Sequence, residues 1–130
     1  MSVAYLDSSA FLKLVFAEPE SAALAEWVQA WPQQASSQLL RLEAFRAVRR
    51  FRPDLLGELR VLLTGIDLVT VSDDLLETAG SLEPLTLRAL DAIHLATALA
   101  LRNDLGAVVT YDRRMIEAAH QLGLPVASPA

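Results

Sequence analysis

Val3–Ser9, VAYLDSS, decides how the rest of the chain is read. The apolar run Val3–Leu6 suits a short buried strand, and Asp7-Ser8-Ser9 are residue types that open helices, with Ser8 or Ser9 available as the cap. The same order recurs twice: Leu68–Val71 runs into Ser72-Asp73-Asp74, and Ala107–Thr110 runs into Asp112. Working outward, a short helix is expected over Ala10–Phe16. A second opens at Pro19, carries Leu24, Trp27, Val28 and Trp31 at helical spacing, and stops at Pro32. Ala35–Ser37 reads as a minimal strand leading into a helix over Gln38–Phe51. Pro53 closes that helix and starts another with Leu55, Leu56, Leu59, Leu62 and Leu63 on its apolar side. Ser72 caps a short helix ending near Gly80, Thr86 caps the helix Leu87–Leu101, and the helix after Asp112 stops at Gly123, before a last edge strand at Leu124–Ala127. Strands alternating with helices, with no hairpin signal, indicate a three-layer α/β/α domain with a mainly parallel central sheet, spanning residues 1–130 as one unit.

Composition narrows the chemistry. At 130 residues and 53% hydrophobic, the chain has enough apolar side chains for a core without staples. It has no cysteine, which excludes disulfides, thiolate nucleophiles and Cys-ligated zinc. The first twenty residues lack a basic region, and Asp7 and Lys13 interrupt their apolar stretch. Neither a signal peptide nor a membrane span is expected, and a soluble cytoplasmic protein with no membrane role is the default. The net charge of −5 opposes broad attraction to nucleic acid, although Arg41, Arg46, Arg49, Arg50 and Arg52 crowd one segment.

Leu87–Leu101, LRALDAIHLATALAL, is apolar except for Arg88, Asp91, His94 and Thr97, each three residues after the last. A carboxylate in such a helix costs several kcal/mol unless a salt bridge, hydrogen bonds or a metal ion compensates it. Arg88, one turn before Asp91, is the structural partner on offer. Asp7 and Asp112 stand where strands give way to helices, so in a parallel sheet both fall on the edge where ligands bind. Glu43 lies among Leu39, Leu40, Leu42, Ala44 and Phe45, with Arg46 as a surface ion-pair partner. Taken singly, each acid has a structural explanation. Taken together, four acids with no matching set of bases suggest a carboxylate cluster held by a divalent cation. Oxygen-only ligation suits Mg²⁺ or Mn²⁺, whose usual work is on phosphate esters.

Four pieces in this order, YLDSSAFLKL, SSQLLRLEAFRA, ALDAIHLATAL and VVTYDRRM, resemble the PIN domain, in particular the VapC type of bacterial toxin. The resemblance runs from Val3 to about Val126. It implies a PIN-like fold and a metal-dependent endoribonuclease in which Asp7, Glu43, Asp91 and Asp112 hold one or two Mg²⁺ or Mn²⁺ ions. Ser9 and Thr110 would be supporting hydroxyls. It further implies an RNA substrate, a homodimer, a bacterial cytoplasmic setting and a VapB-type antitoxin that fills the acidic groove. Attack by metal-activated water would leave 5′-phosphate and 3′-hydroxyl ends.

Several residues have competing readings. His94 fits a hydrogen-bonded packing histidine better than a general base, and His120 a partner for the end of its helix. Arg46 and Arg50 fall on Glu43's side of their helix; they and Arg113-Arg114 beside Asp112 are either solvated surface or contacts to an RNA backbone. One rival for the whole chain is a non-hydrolytic nucleic-acid-binding or regulatory module of the same fold. A receiver-like phosphoacceptor is another, although it wants a lysine at a late strand end and the single lysine here is Lys13.

Overall fold

The structure, a computed structural model, describes residues 2–130. Strands β1 (Val3–Leu6), β2 (Gln33–Ser37), β3 (Asp67–Val69), β4 (Leu105–Val109) and β5 (Val126–Ala127) form one five-stranded sheet. Its order is β3-β2-β1-β4-β5 and every pairing is parallel. The helices are α1 (Ser8–Val15), α2 (Ser21–Gln29), α3 (Leu39–Phe51), α4 (Leu56–Leu63), α5 (Asp73–Gly80), α6 (Ala89–Ala100) and α7 (Arg113–Gln121), with a 3₁₀ turn at Pro53–Leu55 before α4.

β1 is central, and its four residues are all buried because both faces of the sheet are covered. Alternation along the strand divides the core. Val3 and Tyr5 pack with Leu95 and Ala98 of α6 and Met115, Ala118 and Ala119 of α7, whereas Ala4 and Leu6 pack with Ala10, Leu24 and Val28 of α1 and α2. α3 and α4 close over α1 through Leu40, Val48, Leu59 and Leu63. The expected three-layer arrangement is therefore present, with a wholly parallel sheet.

Several local expectations need correction. Asp7 itself caps α1, taking the Ala10 N–H at 3.0 Å, so neither Ser8 nor Ser9 is the cap. α2 begins at Ser21 rather than at Pro19, and Trp31 lies beyond its end, packed on Trp27 with ring centroids 5.1 Å apart. Thr86 does not cap α6, which starts at Ala89 with Arg88 as an N-cap whose side chain makes no capping bond to the helix backbone. Ser72 does cap α5, accepting from the Leu75 N–H at 3.2 Å.

The sheet order also disposes of the receiver-like reading. Receiver-type doubly wound folds run 2-1-3-4-5, whereas here the chain builds outward from β1 through β2 to β3 and then crosses back to β4 on the other side. That reversal puts the topological switch point between β1 and β4, with Asp7 and Asp112 following the two strands that flank it.

Leu95 is fully buried between α6 and the sheet. Leu95→Ala should cost about 2–5 kcal/mol of folding stability in urea titrations; a cost under about 1 kcal/mol would contradict this packing.

Candidate active site

Parallel strands end on one edge, so the residues just past β1, β2 and β4 are brought together there. Leu6 is in register with Val109, and the Asp7 N–H donates to the Val109 carbonyl at 3.2 Å. This places Asp7 beside Thr110. The Thr110 hydroxyl donates to Asp7 Oδ2 at 2.6 Å, and the Ser9 hydroxyl donates to Asp7 Oδ1 at 2.7 Å. Both hydroxyls also accept backbone donors, Ser9 from Tyr111 at 3.1 Å and Thr110 from Asp112 at 3.2 Å. Ser9 and Thr110 are thus supports for the first carboxylate.

Asp7 is only 4% exposed and pairs with no cation among the described residues. Burial pushes its carboxyl above the usual range, against the opposing pull of the Thr110, Ser9 and Ala10 hydrogen bonds and the nearby His94. Asp112 combines two roles. One oxygen caps α7, accepting from the Arg114 N–H at 2.9 Å; the other faces Arg88 at 3.5 Å. Arg88 also reaches Asp91 Oδ2 at 3.2 Å. The structural partner suggested for Asp91 is real, and it bridges two of the acids from an exposed position. Nothing in the spacing of the sequence pointed to the Arg88–Asp112 contact.

Glu43 differs from expectation. It forms no ion pair with Arg46; its Oε1 instead bonds His94 Nε2 at 2.8 Å. His94 is 1% exposed, and its other ring nitrogen lies 2.7 Å from the Tyr5 hydroxyl. The packing role read for His94 is correct, but its partner is a candidate catalytic acid. Tyr5 went unnoticed in the sequence. Its signal was there: it precedes Asp7 by two residues, and in a strand that puts both on the same face.

The four acids therefore line one edge through shared neighbours: Asp7 with Thr110, Thr110 with Asp112, Arg88 between Asp112 and Asp91, and His94 one turn beyond Asp91 holding Glu43. Among the described residues no three acid or histidine side chains close together as a ready-made chelate. The donors nevertheless fit a hard cation. All are carboxylate oxygens, one is deeply buried, and Mg²⁺ ordinarily takes only one or two carboxylates beside its waters and substrate phosphates.

Beside Ser9 and Asp112 opens a depression of about 580 Å³ bordered by Lys13, Phe16, Phe51 and Tyr111. It shares Ala47 and Phe51 with a second depression of about 530 Å³ lined by Arg46, Arg49 and Arg50. Lys13 is bound to Glu18 and Glu20, and Arg52 to Asp54, so neither offers a free cation. Arg46, Arg49, Arg50, Arg113 and Arg114 form no ion pair among the described residues. Arg114 lies along a different depression, with Glu117.

The model of the PIN domain family matches residues 4–121. Ribonuclease VapC46 of Mycobacterium tuberculosis is 45% identical over 130 residues, covering all of both chains. Ribonuclease VapC47 of the same species is 39% identical over 96% of each. This chain is a PIN domain of the VapC type. Among solved structures, a chain of a toxin-antitoxin complex from Klebsiella pneumoniae superposes on the PIN domain with a TM-score of 0.75, at 25% identity and 98% coverage of both chains. The fold is thus that of a known family. Among the described residues of this PIN domain, no helix is long and apolar enough to cross a membrane.

Burial raises the Asp7 carboxyl, so the ionised form costs the fold stability at neutral pH, and that cost is relieved as pH falls through the raised value. Asp7→Asn should accordingly raise the melting temperature of the protein at pH 7, measured by thermal unfolding without added metal. A lower melting temperature would mean that the hydrogen bonds to the carboxylate outweigh its desolvation.

Proposed function

We propose that this PIN domain is the ribonuclease of a VapBC toxin–antitoxin pair, a Mg²⁺- or Mn²⁺-dependent endoribonuclease. The observation that carries the reading is the alignment of Asp7, Glu43, Asp91 and Asp112 along one strand-end edge, in a chain 45% identical throughout to a ribonuclease VapC.

Asp7, Glu43, Asp91 and Asp112 would hold one or two divalent ions, which would supply Lewis-acid stabilisation of a phosphodiester's oxygens and activation of water. The protein's own contribution is to aim the ligands. Thr110 and Ser9 fix both oxygens of Asp7, His94 fixes one oxygen of Glu43, and the cap of α7 fixes one oxygen of Asp112. Arg88 can pass from the carboxylates to a phosphoryl oxygen without leaving the edge, and a guanidinium there offsets the charge that develops during displacement. Attack by water leaves 5′-phosphate and 3′-hydroxyl ends.

RNA approaches along the depression that joins Asp112 to Phe51 and then to Arg46 and Arg50, with aromatic edges for bases and guanidiniums for phosphates. Arg113 and Arg114 offer further contacts on the far side of Asp112. The partner is a VapB-type antitoxin, in keeping with the toxin-antitoxin complex that shares the fold. We further propose a homodimer acting in the bacterial cytoplasm.

Two experiments test this. New RNA 5′ ends are mapped after inducing the wild type or Asp91→Asn in separate cultures. Discrete 5′-phosphate ends with the wild type alone are expected; identical ends from both, or none, would transfer the case to a non-hydrolytic module. Separately, Arg50→Glu should weaken RNA binding and flatten its dependence on salt, by about 0.7 in the log–log slope for each phosphate no longer neutralised. An unchanged slope would remove Arg50 from the RNA path.

A further inference from the structure

Tyr5, His94 and Glu43 come from three elements, β1, α6 and α3, and meet in a single hydrogen-bonded line. Tyr5 is fully buried and His94 is 1% exposed, whereas the Glu43 side chain is 18% exposed at the acidic edge. The line therefore runs from the core to the site. Its polarity follows from what each group can do. The Tyr5 hydroxyl lies 2.7 Å from His94 Nδ1. The nearby hydroxyls spend their hydrogens elsewhere, Ser36 donating to the Leu6 carbonyl at 2.6 Å and Thr97 to the Ile93 carbonyl at 2.6 Å, so neither donates to the phenol. A carboxylate can only accept, so Nε2 carries the hydrogen that faces Glu43, and Nδ1 of the neutral ring is the acceptor to which the Tyr5 hydroxyl donates. Which nitrogen of an imidazole is protonated is set by the bond the other one makes.

The geometry points to a positioning role: Tyr5 locks His94 in its Nε2–H tautomer, and His94 holds Oε1 of Glu43 so that Oε2 alone is presented to the divalent ion. This deepens the nuclease reading and rests on it in one respect, that Glu43 is a metal ligand. It also explains why His94 is not a general base. Its Nε2 is already engaged by Glu43 and the residue is 1% exposed. Its effect passes through Glu43. A glutamate has three rotatable bonds, and on an exposed helix face its carboxylate would sample many orientations; a fixed donor from the core removes most of them before the ion arrives.

Metal affinity, histidine tautomer and fold integrity can be read separately. Mn²⁺ is titrated by calorimetry into the full-length wild type, Tyr5→Phe, His94→Gln, His94→Leu and Asp91→Asn, each first shown folded by circular dichroism. Removing a hydrogen-bonding partner of a metal ligand typically costs about 10–100-fold in affinity, and that loss is expected for His94→Leu. His94→Gln, whose amide N–H reaches about as far from the backbone, should bind within about threefold of wild type, and Tyr5→Phe should fall between the two. Tyr5→Phe deletes one oxygen and keeps the ring, so it serves even if His94→Leu fails to fold. In the wild type, long-range ¹H–¹⁵N spectra should show His94 protonated on Nε2 alone, and in Tyr5→Phe a mixture of tautomers. Wild-type affinity in both His94→Leu and Tyr5→Phe, or an Nδ1–H tautomer in the wild type, would overturn the relay and leave the nuclease reading standing. Undiminished binding by Asp91→Asn would instead remove the acidic edge as the metal site, and the relay with it.

Discussion

A single buried carboxylate ties this molecule together. Asp7 ends the central strand, caps α1 through the Ala10 N–H, and receives hydroxyls from Ser9 and from Thr110 at the end of the neighbouring strand. One side chain thereby joins β1, α1 and β4 at the switch point of the sheet. A neutral cap would serve the helix as well. A charge kept there with no paired cation among the described residues works against the fold, and its carboxyl is raised accordingly. Such a cost makes sense where the charge is needed for something besides folding.

The other acids are held less tightly, each in its own way. Asp112 divides its oxygens between the cap of α7 and Arg88. Asp91 shares that same guanidinium. Glu43 depends on a histidine anchored in the core. The site is thus a set of carboxylates aimed from several elements rather than a closed cage, an arrangement that suits the proposed magnesium-type ion, which brings most of its own coordination as water and phosphate.

Charge is distributed as unevenly as burial. The chain is net acidic, yet guanidiniums without an ion pair among the described residues gather next to the acidic edge, at Arg46, Arg49 and Arg50 on α3 and Arg113 and Arg114 on α7. Two cations nearby are neutralised locally, Lys13 by two glutamates and Arg52 by Asp54. Such a pattern favours a polyanion at one edge even though the net charge of the chain opposes it.

Much of this could be read along the chain. Apolar runs that end in capping residues determined the strands, their mainly parallel direction and the common edge on which Asp7 and Asp112 fall, because strand-to-helix order and side-chain period are local properties. Composition alone removed thiol chemistry. What no local rule contains is which polar groups meet across elements. Arg88 reaching Asp112, His94 choosing Glu43 while Arg46 does not, and Tyr5 securing His94 from the strand beneath all depend on how α3 and α6 are set against β1. Even the cap of α1 was decided this way. Asp7, Ser8 and Ser9 are equivalent as helix openers, and the register of β1 with β4, which put Thr110 beside Asp7, selected the one that bears the charge. Sequence specified the donors; packing specified their partners, since hydrogen bonds between distant residues are decided by three-dimensional proximity alone.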